Sequence, residues 1–182
     1  MSMICNVLGV SPAQMAALRA NPDLASYLAM HVDEVPMGRS AAPSTLTALG
    51  PVETPLDLHK SWHLLHYLFA GDIEPTGAAE SALMGGEELG EDLGYGPPRL
   101  HDAAATAAFG AFLKQLTSEK LQARLNLEEM QRAGVYAIPM GLRVTKRDED
   151  DLREEIAAYF GPLREYVLKM VARNHGLLIW LT

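Results

Sequence analysis

The chain has 182 residues, 23 Asp and Glu against 15 Lys and Arg, a net charge of -8 with histidine neutral, and one cysteine. An apolar fraction of 48% with 21% charged residues excludes bulk disorder, and the length fits one domain over 1–182 with a real core. Lone Cys5 excludes an internal disulfide framework. Met1–Val10 has no basic n-region and too short an apolar run for a signal peptide or a membrane span, so a cytoplasmic protein is expected.

Met3 to Val10 reads as a short strand, because Ile4, Val7, Leu8 and Val10 are apolar and β-branched residues favour extended backbone. Ser11-Pro12-Ala13-Gln14 predicts a helix start: Ser11 caps, Pro12 takes the first helical position, and Gln14 reaches back to complete a capping box. A second start follows at Asn21-Pro22, with Leu24, Tyr27 and Leu28 on one face. Residues 31–56 hold Pro36, Pro43, Pro51 and Pro55 and read as a mostly irregular connection, with one helical turn near Thr45–Leu49. Thr54-Pro55-Leu56-Asp57 predicts a helix that runs to Ala70 and stops at Gly71.

Residues 72–100 are rich in Gly, Pro and acids, with a short strand expected at Ser81–Met84. Asp102 caps a helix whose apolar residues Ala105, Ala108, Phe109, Phe112, Leu113 and Leu116 have the spacing of one buried stripe. Thr117–Leu125 continues as a short helix, and Asn126-Leu127-Glu128-Glu129 opens another that Gly134 ends. Val135–Val144, interrupted by Pro139 and Gly141, reads as extended or loop. Asp148 opens the last long helix, with Leu152, Ile156, Phe160, Leu163, Val167 and Met170 inward and Gly161-Pro162 expected to kink or split it. Asn174-His175-Gly176 ends it, and Leu177–Leu181 is an apolar closing strand. The order predicts an α+β fold: a small mixed or antiparallel sheet that includes both terminal strands, covered by several helices.

The charge excess is local. Residues 53–100 carry nine acids against Lys60 and Arg99, whereas 101–182 balance to zero. An acidic chain without a basic cluster is a poor binder of phosphate backbones, so no nucleic-acid partner is expected. The densest stretch, Glu87-Glu88-Leu89-Gly90-Glu91-Asp92, suits a solvated loop, a metal ion or a basic protein partner.

On a helix over 55–70, His59, His63 and His66 would fall within an arc of roughly 60° at about 100° per residue. Two histidines at i and i+4 are a known way to hold a divalent metal, so His59 and His63 are candidate ligands, with Glu87, Glu88, Glu91 or Asp92 completing the set. Against this, the H-E-x-x-H form is absent, and Lys60 would repel a cation. Half-buried structural histidines are the plain reading. Trp62, Leu65 and Phe69 form a neighbouring core stripe.

Glycines 85, 86, 90, 94 and 96 permit positive φ and close backbone approach, yet no Gly-Lys-Ser/Thr or third fingerprint glycine follows, so neither a P-loop nor a dinucleotide turn is present. Tyr95 and Arg99 beside Pro97-Pro98 form a candidate recognition edge. Cys5 in a strand reads as a buried inert thiol, and no Gly-x-Ser-x-Gly elbow exists.

Several segments together resemble the YfbM-like family, classed as domain of unknown function 1877. They are the start Met1–Ile4, the stretch Asp57-Leu58-His59-Lys60-Ser61-Trp62-His63-Leu64-Leu65-His66 followed by Gly71, then Gly85-Gly86, Gly94-Tyr95-Gly96-Pro97-Pro98-Arg99 and Asn174-His175-Gly176. The resemblance spans nearly the whole chain. It covers Asp57, Lys60, Trp62, Leu65 and His66 of the helix pattern, while His59 and His63 fall at unspecified positions. It implies a bacterial α+β domain without an assigned activity or cofactor, and relatives of immunity or stress type. It directs attention to Asp57, Lys60, Trp62 and His66 with Tyr95 and Arg99 as one surface or pocket.

Two readings of function follow. The first is a non-enzymatic protein-binding domain, of immunity or stress type, that sets the 87–92 loop against a basic partner and needs no cofactor. The second is a metal-assisted hydrolase, with His63 or His66 as ligand or base, loop carboxylates as ligands and Arg99 on an anionic substrate.

Overall fold

The computed structural model describes residues 3–31, 44–76, 78–136, 138, 143 and 145–182. The elements run β1 (Cys5–Val10), α1 (Pro12–Ala20), α2 (Asp23–His31), α3 (Ser44–Thr47), β2 (Leu56–Asp57), α4 (Ser61–Ala70), β3 (Glu87–Glu88), β4 (Arg99–His101), α5 (Ala103–Leu113), α6 (Ser118–Gln122), α7 (Leu127–Ala133), α8 (Lys146–Ala172) and β5 (Gly176–Leu181). The strands form one antiparallel sheet in the order β2-β1-β5-β4-β3, so the first and last strands are neighbours at its centre. Cys5 lies opposite Leu181 and Val10 opposite Gly176, and Ile4 and Thr182 exchange two further backbone bonds beyond the strand ends.

Strand alternation divides the core in two. Cys5, Val7, Ile179 and Leu181 face a large cluster completed by α4, α5 and α8, including Trp62, Leu65, Phe109, Ile156, Phe160 and Val167. Leu8, Val10, Leu100, Leu178 and Trp180 face a smaller cluster with Met15 and Leu18 of α1, Leu28 of α2 and Leu46 of α3. Both faces of β5 are covered, which is why it reads as an unbroken apolar run rather than alternating with polar residues.

Most of the local stop and start signals hold. Ser11 and Gln14 form the expected capping box, and the side chains of Asp102, Thr117 and Asn126 cap α5, α6 and α7. Gly71 and Gly134 end their helices in the left-handed conformation. The long helix differs in detail: Thr145 is its cap, and Asp148 sits three residues inside as the second half of a capping box. All six residues expected inward are buried, and Gly161-Pro162 does not split the helix. Gly161 has no Cβ to meet the proline ring, and Pro162 and Ala158 lie on the exposed face of the helix, where solvent can satisfy the carbonyl that proline leaves without a partner.

Three expectations are corrected. The helix read from Pro55 begins only at Ser61, because Leu56 and Asp57 pair with Val7 and Asn6 of β1 and Leu58 N–H donates to the Cys5 carbonyl at 2.8 Å. Strand pairing across 50 residues of sequence overrides a local helix signal. Ser81–Met84 is no strand: a 3-10 turn at Ala79–Ser81 continues into a tight turn, with Met84 and Gly85 N–H both donating to the Ser81 carbonyl. The stripe of α5 is rotated, since Ala108 is exposed whereas Thr106 and Gly110 are buried. Gly110 packs where a Cβ would come within 2.8 Å of Val171. The irregular connection is represented by α3 and residues 48–55, while 32–43 fall outside the described residues. Among the described residues of 135–144, none is in a helix or strand.

Tyr166 of α8 closes the exposed side of β1, accepting from Gly9 N–H and donating to the Thr54 carbonyl, both at 2.9 Å. Glu53 beside it binds Lys169 at 3.1 Å and also Arg173. Close packing is also demanded of Gly176, where a Cβ would lie 2.4 Å from the His101 carbonyl oxygen of β4 and 2.3 Å from Met15 Sδ. Gly176→Ala is expected to destabilise the fold by about 1–3 kcal/mol through this overpacking, since a paired strand backbone yields less than a side chain. Urea unfolding of the two proteins measures it, and unchanged midpoints would contradict the packing.

Candidate functional site

The histidines do not share one helix. His59 precedes α4 at φ +48°, held by Asp57, whose Oδ1 accepts His59 N–H at 2.6 Å and whose Oδ2 lies 3.3 Å from His59 Nε2. Both side chains are exposed, with the His59 ring edge-on to Tyr159 at 6.1 Å. The i, i+4 argument for His59 and His63 as a metal pair therefore has no helix to stand on. Lys60 is exposed at the start of α4 and makes no capping bond.

Trp62, His63 and His66 face inward on α4. Trp62 is in the core, with its indole N–H donating to the Met3 carbonyl at 3.3 Å and its ring stacked on His63 at 4.8 Å. His63 Nδ1 accepts Tyr136 N–H at 2.9 Å, so this imidazole is neutral with its proton on Nε2. His66 is fully buried, and neither ring nitrogen has a hydrogen-bond partner of good geometry. Burial pulls the pKa of His66 down, the Arg99 charge adds to this, and the nearby backbone of Ile73 and Glu74 and the Asp72 charge act the other way. His63 is lowered by burial and by His66.

Arg99 projects from β4 onto the same face of the sheet, opposite Ile179 in register. It is half-buried. Its Nη2 donates to the Leu83 carbonyl at a long 3.4 Å, and its Nε, enclosed, has no partner. Burial lowers its pKa against the opposing influence of Cys5 and Glu88. The Cys5 thiol is pushed up to about 12 by burial, which keeps it protonated and inert, as expected of it. Tyr95 packs half-buried against this large cluster.

The acidic loop lies elsewhere. Leu89 anchors it in the smaller cluster, on the α1–α2 side of the sheet. Glu91 N–H donates to Ser26 Oγ at 2.8 Å, and Gly90 sits at φ +77° where a Cβ would come within 2.3 Å of Ser26 Oγ and 2.7 Å of the Pro22 carbonyl. Asp92 Oδ1 accepts the N–H groups of Gly94 and Gly96 at 2.7 and 2.9 Å, and Glu87 pairs with Arg19 at 2.8 Å. So Arg99 and His66 lie on the same side of the sheet, and Glu87, Glu91 and Asp92 gather against the other. Among the described residues no group of three or more His, Cys, Asp or Glu side chains could hold a metal ion.

Sequence reasoning missed His101. It is buried, its Nε2 donates to the Ala82 carbonyl at 2.8 Å, and it lines a half-open groove of about 380 Å³ with Arg19, Gly85, Gly86, Asp102 and alanines of α5. The only cue was its alternation with Arg99 two residues before the Asp102 cap.

Comparison with known proteins places the chain in a family. The family model "Domain of unknown function (DUF1877)" matches residues 1–180, and the chain belongs to this family. Among solved structures, the protein of unknown function YfbM from Escherichia coli is similar, with a TM-score of 0.68 and 17% identity over 98% of this chain and 99% of that one. At that identity the likeness is one of fold. No curated protein matches the chain. Among the described residues no helix is long and apolar enough to cross a membrane.

The buried histidines set a pH dependence. His63, His66 and His101 all have pKa values lowered from the ordinary 6.5, chiefly by burial, so the unfolded chain binds their protons more readily. Their contribution to stability is fully present above pH 6.5 and is lost as pH falls below it towards the folded values. Each histidine is expected to remove up to about 1.4 kcal/mol per pH unit in that window. Urea midpoints measured from about pH 7.5 to about pH 5 should fall, and His66→Gln should flatten the fall; a pH-independent midpoint would contradict the neutral burial of these rings.

Proposed function

We propose that this protein is a non-enzymatic binding domain that presents the acidic edge formed by β3 and the loop to Asp92 to a basic protein surface. The observation that carries this is preorganisation. The loop backbone is pinned by buried Leu89, by Ser26 and by the Asp92 turn, while Glu87, Glu88, Glu91 and Asp92 remain exposed. Glu88 and Glu91 form no ion pair among the described residues. Carboxylates carried on a backbone already fixed leave no loop to be ordered when they meet a cation, and they steer a basic partner through the long-range field. Asp23, at the start of α2 beside the Pro22–Ser26 corner that seats Gly90, extends the acidic corner. An immunity- or stress-type role suits such a surface, because occluding a partner needs no chemistry.

Glu88→Gln with Glu91→Gln tests this, since it spares the Glu87–Arg19 pair and the Asp92 turn. A basic partner captured by the native protein is expected to associate several-fold more slowly with the double variant and with a flatter salt dependence. Equal association of both proteins, or capture of partners without a basic surface, would overturn the reading.

The hydrolase alternative gains no support from the geometry, because His63 and His66 lie on the face opposite the loop anchor. Thermal unfolding of chelator-treated protein with zinc, manganese, nickel, magnesium or calcium added is expected to show no shift. A metal that binds only the folded state at 100 times its dissociation constant would add about 2.7 kcal/mol. A shift abolished by His63→Ala would reinstate the metal site.

A further inference from the structure

Arg164 of α8 is a cation that the fold leaves unanswered beside an open space. A guanidinium has five N–H donors and no acceptor. Among the described residues that of Arg164 has no hydrogen-bond or ion-pair partner. Its Nε is enclosed, so the stem is packed in place and only the two Nη groups meet solvent. The side chain lines a groove of about 330 Å³ between α8 and the corner that joins α5 to α6. Phe160, Gly161 and Leu168 give the groove an apolar wall on the α8 side, and a Cβ on Gly161 would meet nothing within 4 Å, so the wall is open there. On the α6 side stands Ser118, half-buried, whose hydroxyl has no partner among the described residues. Glu119 and Glu165 also line the groove, yet both are exposed, where water and salt screen them. Lys114 and Lys120 stand on the same corner, so cations outnumber carboxylates around this groove of an acidic protein.

We propose that this groove binds a small organic acid, whose carboxylate Arg164 grips through its Nη pair and whose apolar body lies against Phe160 and Leu168. Two parallel N–H groups match the two oxygens of a carboxylate, and the single negative charge answers the single guanidinium. Ser118 offers a further O–H, and the gap at Gly161 leaves room for the body of the ligand. The volume suits a small molecule, at the lower end of the roughly 300–1,000 Å³ of ligand pockets. A phosphate dianion fits less well, because it brings a second negative charge towards a rim that already holds Glu119 and Glu165. Neither Glu88 nor Glu91 lines this groove, so this proposal and the acidic-edge reading fail independently.

The test is an NMR titration of the full chain with sodium phenylacetate and, separately, sodium acetate and inorganic phosphate, at fixed pH and at ionic strength held constant with sodium chloride. The Arg164 Nε–H and Ser118 amide resonances are expected to shift together and saturably with phenylacetate, to do so more weakly with acetate, and not to saturate with phosphate. Arg164→Lys keeps the charge and loses the fork, and is expected to weaken phenylacetate binding about tenfold or more. Ser118→Ala removes one hydroxyl donor and is expected to weaken it several-fold. Should Arg164→Lys fail to fold, the native titration and Ser118→Ala still decide. No saturable shift with phenylacetate would overturn the proposal, as would saturable binding that leaves the Arg164 resonance unmoved. Phosphate binding tighter than phenylacetate would overturn the assignment to a carboxylate, and equal affinity for acetate would overturn the apolar wall.

Discussion

The pairing of β1 with β5 is the constraint on which the rest depends. It joins the two ends of the chain over six residue pairs, and alternate residues of both strands feed two separate hydrophobic clusters. Each fully buried Leu, Ile or Val of these strands contributes about 1.5–3 kcal/mol relative to exposure. Breaking this one contact would therefore unmake both halves of the core. Contact between strands some 170 residues apart also carries a large loop-closure cost, which the intervening helices offset by packing on the sheet as local units.

The outer strands are short, and their brevity shapes the surface. β2 and β3 are two residues each, so both sheet edges expose little backbone, and one edge carries Glu87 and Glu88. Charged, abbreviated edge strands discourage pairing with other chains. At this edge the same carboxylates extend into a loop whose backbone is fixed by contacts with α1 and α2, so a device against aggregation also presents a defined charged surface. On the other edge, pairing of Leu56 and Asp57 turns the chain sharply at His59 before α4 begins.

The sheet also separates two kinds of electrostatics. On the side of α4, α5 and α8 lie neutral buried histidines, a protonated thiol and the Arg99 guanidinium, with burial as the leading influence on each. On the side of α1 and α2 lie exposed carboxylates whose backbone, rather than whose charge, is tied down. A charge in the first setting acts strongly on whatever contacts it, because little water intervenes. A charge in the second acts at long range and weakly, and is screened by salt.

Much of the fold was legible because its signals are local. Ser11 with Gln14, Asp102, Thr117 and Asn126 cap helices through bonds spanning three residues, and Gly71 and Gly134 stop them by conformation alone. The apolar runs of β1 and β5 declare burial on two faces without reference to a partner. The exposure of the 87–92 carboxylates was equally readable, since desolvating unpaired charge is prohibitive. What the sequence could not determine, beyond the joining of the two terminal strands in one sheet, was the detail fixed by a distant partner. Leu56–Asp57 carries a helix start and becomes a strand because β1 is there to pair with it; β3 and β4 are too short to show a period. Arg99 and His66 stand 33 positions apart, and they share one side of the sheet only because the register of β4 on β5 and the inward face of α4 aim both there. Short-range geometry is encoded in neighbouring residues, whereas the placing of distant side chains on one face of a sheet follows from pairing and packing, which exist only once the chain has folded.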